Sequence, residues 1–306
     1  MNYCTLCDIK YLPRALALYK SLARWEDDIN FWILGCDAET VRTIHQWTLE
    51  NRFKGMQVTP LAALERHDPM LRHARNNRSW VEYLWTLASY YTWTLLQADA
   101  IRADGLSYLD ADTYFFNDPY YLMPDNIPAI DIAIVPHRWT PKNRDRLRIN
   151  GTYNVSWVYF SGSETSMRCA HEWSANCLEW CYKQNRRGGR HWIMYADQGY
   201  LEEWPNKYDA YVSQHPGVGL APWNQERYSY QMVAWRASSS MPAIECRDSC
   251  NYMIVFYHFH EFQDREGKMI KRTYYPLHPF VEEHIYKPYE AEIEECYGEV
   301  YATSHQ

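Results

Sequence analysis

The chain has 306 residues, 47% of them hydrophobic, which is enough for one large α/β domain with a sizeable core and excludes wholesale disorder. A net charge of −7 and a pI of about 5.9 exclude a general nucleic-acid surface, which has to be basic. No apolar run reaches the roughly 18 residues of a membrane span. The opening Met1-Asn2-Tyr3-Cys4 lacks the basic start and apolar run of a secretory leader, so a cytoplasmic protein is expected. Its nine cysteines, an odd number, are then expected to be reduced. Cys4 and Cys7 form a CxxC, but Cys177/Cys181 and Cys246/Cys250 are four apart and complete no zinc knuckle. Aromatic residues are abundant, with 27 Tyr and 14 Trp, and beyond filling the core such rings suit stacking on sugars or bases.

In chain order, residues 3–6 form a first short strand. Pro13 sits where a helix begins, and Leu12, Leu16, Tyr19 and Leu22 follow at helical spacing. Residues 29–34 are a second strand, and 38–47 a second helix with Asp37 as its N-cap. This alternation predicts a parallel sheet. The polar and basic stretch 64–77 reads as loop or mobile helix, and 80–96 as a long aromatic helix. That helix packs on the core by default, with a bilayer or a partner as the alternative. Residues 105–109 are a strand running straight into Asp110-Ala111-Asp112. Strands follow at 130–135 and 155–160, a long helix at 163–184 capped by Ser163, and a loop at 186–190. A short helix at 196–204 and a late strand at 253–258 precede an aromatic, acidic tail from Glu261. No internal repeat or low-complexity segment interrupts the chain.

The chemistry concentrates at Tyr108-Leu109-Asp110-Ala111-Asp112-Thr113-Tyr114. Two carboxylates two apart, just past an apolar strand, emerge at the carboxyl edge of a sheet, where open α/β sheets bind ligands. Carboxylate and phosphate oxygens are the hard ligands that Mg²⁺ and Mn²⁺ prefer, so an ion there could bridge the pair to a diphosphate. The plain alternative is a solvated acidic turn. The strand before the pair and the aromatic segment after it, ending at Asn117-Asp118-Pro119, argue against that alternative.

YLDADTYFFNDP at 108–119 resembles the DxD segment of GT-A glycosyltransferases, especially family eight and related bacterial polysaccharide or lipopolysaccharide enzymes. Other stretches are similar in the same order: CTLCDIKYLPRALALYKSL at 4–22, YNVSWVYF at 153–160, YADQGYLEEWP at 195–205, QHPGVGLAPWN at 214–224 and FYHFHEF at 256–262. The resemblance implies a Rossmann-like α/β fold, a mixed and mainly parallel sheet flanked by helices in a single domain. That domain spans 1–262, with 263–306 as a C-terminal extension packed on it. It also implies an enzyme that moves a sugar from a nucleotide-diphosphate donor, UDP-linked, to a hydroxyl of a glycan or lipid-linked acceptor with retention. A lipid-linked acceptor would bring the protein to the inner membrane face as a peripheral partner.

Carried over residue by residue, Asp110, Asp112 and His258 hold Mn²⁺ or Mg²⁺, with Asp110 also facing the donor. His260 is the competing ligand, and the two histidines are taken to point to opposite faces of their strand, so that one serves. Thr5, Asp8 and Tyr11 contact the base or ribose, although Asp8 could equally cap the first helix. Asn154 binds donor-sugar hydroxyls. Asp197 and Gln198 lie beside the anomeric carbon, with an N-cap role as the alternative for Asp197. Trp223 and Asn224 are candidates for the acceptor cleft. The sequence departs from the family pattern after the late histidine. Glu261 stands near a family glycine, and the diphosphate lysine has only Lys268 and Lys271 as weak counterparts. Arg144, Arg146 and Arg148 form an alternative basic stripe whose ordinary reading is a solvated loop. Two rival functions stand beside the main one. A nucleotidyltransferase would want a glycine-rich loop where the chain has Cys7-Asp8-Ile9-Lys10-Tyr11, and a non-catalytic sugar-binding homologue would need no metal pair.

Overall fold

The structure is a computed structural model that describes residues 1–124, 130–184, 186–187, 193–235, 239–245 and 251–304. Strands β1 (Asn2–Cys7), β2 (Asn30–Gly35) and β3 (Met56–Pro60) pair in parallel, joined by helices α1 (Leu12–Ala23) and α2 (Ala38–Leu49). Five of the six residues of β1 are buried, as befits a strand covered by helices on both faces. Pro13 occupies the first turn of α1, where a missing N–H costs nothing. The Asp37 carboxylate caps α2 by accepting from Thr40 N at 2.7 Å.

The chain then runs through α3 (Leu61–His67) and α4 (Pro69–Asn77) to α5 (Trp80–Leu96). The expected loop or mobile helix at 64–77 is thus two short helices. Within α4 only Leu71 and Ala74 are buried, too thin a stripe to stand out as an apolar face. Helix α5 starts where the sequence places it, because Ser79 and Glu82 cap it reciprocally, and it buries Tyr83, Leu87 and Tyr91. Next come α6 (Asp99–Asp104), β4 (Leu106–Leu109), β5 (Thr113–Phe115), β6 (Ile132–Pro136), α7 (Leu147–Asn150), β7 (Tyr153–Phe160) and α8 (Glu164–Glu179). Helix α8 is capped by Ser163 but stops short of residue 184. Arg186 and Arg187 form strand β8 (Arg186–Arg187) against β9 (Ile193–Met194) rather than loop; residues 188–190 of that expected loop lie outside the described residues, as do Cys246 and Cys250. After α9 (Trp204–Lys207) and β10 (Tyr211–Val212), a seven-stranded sheet is complete in the order β10-β6-β7-β4-β1-β2-β3. Only β7 runs antiparallel to its neighbours, so the sheet is mixed and mainly parallel, as expected.

Strands β11 (Ser229–Trp235), β12 (Ser239–Glu245) and β13 (Asn251–Met253) make a separate antiparallel sheet. The late strand expected over 253–258 is broken. Val255 turns aside to donate to Gly217 O and to accept from Phe116 N and Asn117 N, and β14 (Phe256–His258) then pairs with β5. The remaining elements are the hairpin β15 (Gln263–Arg265) and β16 (Lys268–Lys271), then α10 (Pro279–Val281) and α11 (Lys287–Ser304). Ile293, Cys296 and Val300 of α11 join the core that holds Leu12, Leu16 and Leu22 of α1. Arg24 ties the two helices together by donating to both Tyr114 Oη and Glu292. Among the described residues no helix is long and apolar enough to cross a membrane.

Candidate active site

β4 ends at Leu109 as Asp110 N reaches across to Ser156 O. The Asp110 carbonyl then accepts from both Thr113 N (3.0 Å) and Thr113 Oγ1 (2.8 Å), closing a tight turn that lifts Ala111 and Asp112 off the sheet. β14 pairs antiparallel with the strand that leaves this turn, and its register sets His258 opposite Thr113. Phe259 N donates to Asp112 O at 2.8 Å, and His258 N to Leu220 O at 2.8 Å, so the histidine backbone is fixed from two sides. His258 Nε2 consequently lies 3.1 Å from Asp112 Oδ1 and 3.8 Å from Asp110 Oδ2. One ligand atom from each of the three residues lies within 4.8 Å of the others.

His260 does not face away. Side chains two apart on an extended chain share a face, and the rings of His258 and His260 are 5.8 Å apart, both against Trp223. The expectation of opposite faces is therefore corrected, while His258 alone of the two has its ring nitrogen against both aspartates.

The charges of this group are tightly linked. Burial, with the Asp112 charge adding to it, pushes Asp110 up to about 6 against the pull of His258; Tyr108 Oη donates to its Oδ1 at 3.0 Å. Burial works against Asp112 as well, but His258 outweighs it and draws that carboxyl down to about 2. Burial opposes charge on His258, and the Asp112 carboxylate overrides it, so the imidazole holds its proton above the usual 6.5. His260 goes the other way: burial and the neighbouring His258 push it down to about 4. Two carboxylates and one imidazole at this spacing fit a hard divalent cation such as Mn²⁺ or Mg²⁺.

The group opens into a cleft of about 890 Å³. Asp8, Tyr11, Asn154, Asp197 and Gln198 all line it; Thr5 does not. Thr5 is wholly buried in β1, its hydroxyl without a partner, so the sheet interior claims it. Asp8 does not cap α1: its Oδ1 accepts from Tyr11 N at 3.0 Å, and Tyr11 is itself the N-cap residue. Tyr11 is 42% exposed, with the Arg14 guanidinium 4.2 Å from its ring centre. Asn154 sits at a register shift between β6 and β7, where its Oδ1 accepts from Ser156 N (2.9 Å) and its Nδ2 lies 3.3 Å from His137 Nε2. Asp197 is buried and follows Ala196, which holds a left-handed φ of 52°. Burial and the nearby Asp110 keep the Asp197 carboxyl well above the usual range. It makes no side-chain capping bond, and Gln198 donates its amide to Asn150 O.

Trp223 lines the cleft, whereas Asn224 is fully buried and spent on scaffolding: it donates to the carbonyls of His137 (2.9 Å) and Gly219 (3.0 Å). His137 escaped sequence reasoning. It stacks on Trp139 at 4.4 Å, and burial pushes it down to about 3, so it stays neutral. Its position at the end of an apolar strand, in His137-Arg138-Trp139, was the available signal. The first turns of α5 were also missed as cleft wall, with Trp80, Val81, Leu84 and Trp85 facing in. Lys268 and Lys271 do not line the cleft, nor do Arg144 and Arg148; Arg146 does. Glu261, near the family glycine, adopts a left-handed φ of 64°, the conformation that glycine favours.

No protein family model matches the chain. The uncharacterized protein YfnF of Bacillus subtilis (strain 168) is 28% identical over 294 residues, covering 92% of this chain and 89% of its own. YfnD of the same organism, also uncharacterized, is 23% identical over 262 residues, covering 85% and 78%. Among solved structures, the galactosyltransferase LgtC in complex with donor and acceptor sugar analogs matches with a TM-score of 0.56 at 14% identity, over 96% of this chain and 95% of that one. The apo-form glycosyltransferase GlyE of Streptococcus pneumoniae TIGR4 gives a TM-score of 0.51 at 12% identity, over 99% and 63%. These likenesses establish that the chain has the GT-A glycosyltransferase fold.

Proposed function

We propose that this protein is a metal-dependent glycosyltransferase, moving a sugar from a nucleotide diphosphate, UDP by preference, to a hydroxyl of a glycan or lipid-linked saccharide. The observation that carries the reading is the convergence of Asp110, Asp112 and His258 in a cleft at the carboxyl edge of a GT-A sheet. LgtC, which shares the fold, was solved with donor and acceptor sugar analogs, and that supports the same pair of ligands here. The first loop supports a transferase over a nucleotidyltransferase, since no glycine cradle for a triphosphate stands at Cys7–Tyr11.

The chain's own groups divide the work. Asp110, Asp112 and His258 would hold Mn²⁺ or Mg²⁺. Such an ion, when bound, neutralises the charge that develops on a departing diphosphate. Tyr11 offers an exposed ring to a base, and Asp8 Oδ2, free of the turn, can accept from a uracil N–H. Asn154 has its oxygen and one amide hydrogen committed, so its second N–H is aimed and ready for a sugar hydroxyl. Burial tightens the Asp197 carboxyl's hold on its proton, and positive charge building at the anomeric carbon would favour its ionised form. The resemblance to family-eight enzymes favours a front-face, retaining route in which a phosphate oxygen of the leaving group takes the acceptor proton; His260, which lines the cleft and is held neutral, would be the competing base.

The reading is tested by offering purified protein a panel of nucleotide sugars with Mn²⁺ or with EDTA and measuring released nucleoside diphosphate. Slow metal-dependent release from one donor, with water as acceptor, is the expected result. Absence of both release and nucleotide binding across the panel would sink it.

A further inference from the structure

We propose that Arg146 forms an anion-binding subsite at the cleft mouth, which receives a carboxylate or phosphate carried by the acceptor. The word acceptor rests on the glycosyltransferase reading; the subsite itself rests on the following geometry.

Among the described residues, Arg146 is the only lysine or arginine that lines the cleft. Five acidic residues line the same space: Asp8, Asp110, Asp112, Asp197 and Glu261. With Asp110 and Asp112 taken up by the proposed cation, Asp8 and Glu261 still leave the mouth acidic, so an anionic saccharide is best met there beside a cation. Three other basic groups near the cleft are spoken for. Arg14 is committed to Asp264 and the Phe262 carbonyl, and the Lys271 ammonium lies over the Tyr274 ring. Arg138 donates to three backbone carbonyls, those of Ser213, His215 and Val218. The Arg146 side chain has no ion pair or hydrogen bond among the described residues, although Asp145 is its chain neighbour. Its guanidinium therefore keeps its donor fork, the geometry that carboxylates and phosphates accept in bidentate fashion.

Position favours the acceptor as the source of the anion. Arg146 lines the mouth together with Tyr195 and Tyr275, and its charge opposes the burial that raises both phenols. A donor diphosphate has to lie on the Asp110–Asp112–His258 group, which is drawn in beneath the rim. Arg146 is instead exposed, beside Leu147 at 44% exposure, and faces the aromatic rim that carries Tyr274 and Tyr275. Aromatic rings next to a free guanidinium suit a sugar that bears a negative substituent.

The test uses glucose 6-phosphate, glucuronate and glucose as probes, titrated by calorimetry into the full-length protein with Mn²⁺, with and without saturating UDP. The wild type should bind the two charged sugars roughly tenfold or more tighter than glucose, as a charge-assisted bond of this kind allows. Arg146→Ala should erase that preference and Arg146→Lys should retain part of it, while UDP affinity stays within about twofold, the residue being clear of the donor. An exposed residue of this kind leaves folding intact, which circular dichroism checks. Equal binding of charged and neutral sugars by the wild type, or a preference that survives in Arg146→Ala, would overturn the subsite. A large loss of UDP binding in Arg146→Ala would overturn the acceptor assignment and give the arginine to the diphosphate. A wild type that ignores UDP yet keeps the Arg146-dependent preference would retract the transferase reading and leave the anion site standing.

Discussion

His258 Nε2 lies 3.1 Å from Asp112 Oδ1 because the strand that carries the histidine pairs with the strand that leaves the aspartate turn. Asp112→Asn keeps the shape of that contact and removes its charge. Mn²⁺ binding should weaken by roughly 100-fold or more and turnover by a factor of the order of 10³, as the loss of a charged group facing a developing negative charge predicts. A paramagnetic Mn²⁺ titration of wild type and variant measures the first directly; unchanged Mn²⁺ affinity would remove Asp112 from the ligand set.

Metal affinity should fall as the solution is acidified. A cation needs the neutral imidazole and the ionised carboxylate, and both Asp110, pushed to about 6, and His258, held above 6.5, bind protons more tightly than usual. The sign follows: affinity is full above both values and is lost as pH drops through them, with a limiting slope near two protons per ion. In His258→Asn one of those protons disappears and the slope should fall to about one. Isothermal titrations of Mn²⁺ between pH 5 and 8 would read the slope, and identical slopes for the two proteins would remove His258.

His137 and Asn154 should behave as a unit. His137→Phe preserves the stack on Trp139 but takes away the acceptor that orients the Asn154 amide. Losing one buried hydrogen bond of about 1 kcal/mol should raise the donor KM by roughly fivefold with little change in kcat. Asn154→Ala should do the same, and the double variant should cost much less than the sum of the two. Additive losses would mean that the two residues act independently.

Much of this fold was legible because its signals are local. Asp37 and Ser163 cap helices at the positions their residue types predict, and β1 and β2 read as apolar runs because both faces are covered. The aspartate pair could be read because an apolar strand ends abruptly on charge. What stayed hidden depends on long-range pairing. The resemblance put Thr5 at the base or ribose, yet it lies within β1 with its side chain wholly buried. Val255 looked like mid-strand, and only the backbone of Gly217 and Phe116 decides that it turns away. His137 became a cleft residue through a stack on Trp139 and a bond to Asn154 that no spacing rule encodes.

Gly219 tests the support beneath the metal group. Its φ is 78°, and an added Cβ would fall 2.2 Å from Val135 Cγ2, at the register shift beside Asn154. The loop it belongs to also supplies Gly217 O and Leu220 O to the segment that carries His258. Gly219→Ala should cost about 2–4 kcal/mol, from a left-handed backbone and overpacking combined. Denaturant midpoints would measure this, and a variant as stable as wild type would show that the loop relaxes without cost.

The two-stranded pairing of Thr113–Phe115 with Phe256–His258 also sets a timetable. A nascent chain carries both aspartates well before its histidine leaves the ribosome, and until the distal segment docks those acids are a turn and nothing more. On the proposed reading, avidity for a divalent ion would arise only once the His258 segment has been made and has paired with the strand that leaves the aspartate turn. A truncated or mispaired product would be unarmed rather than half active.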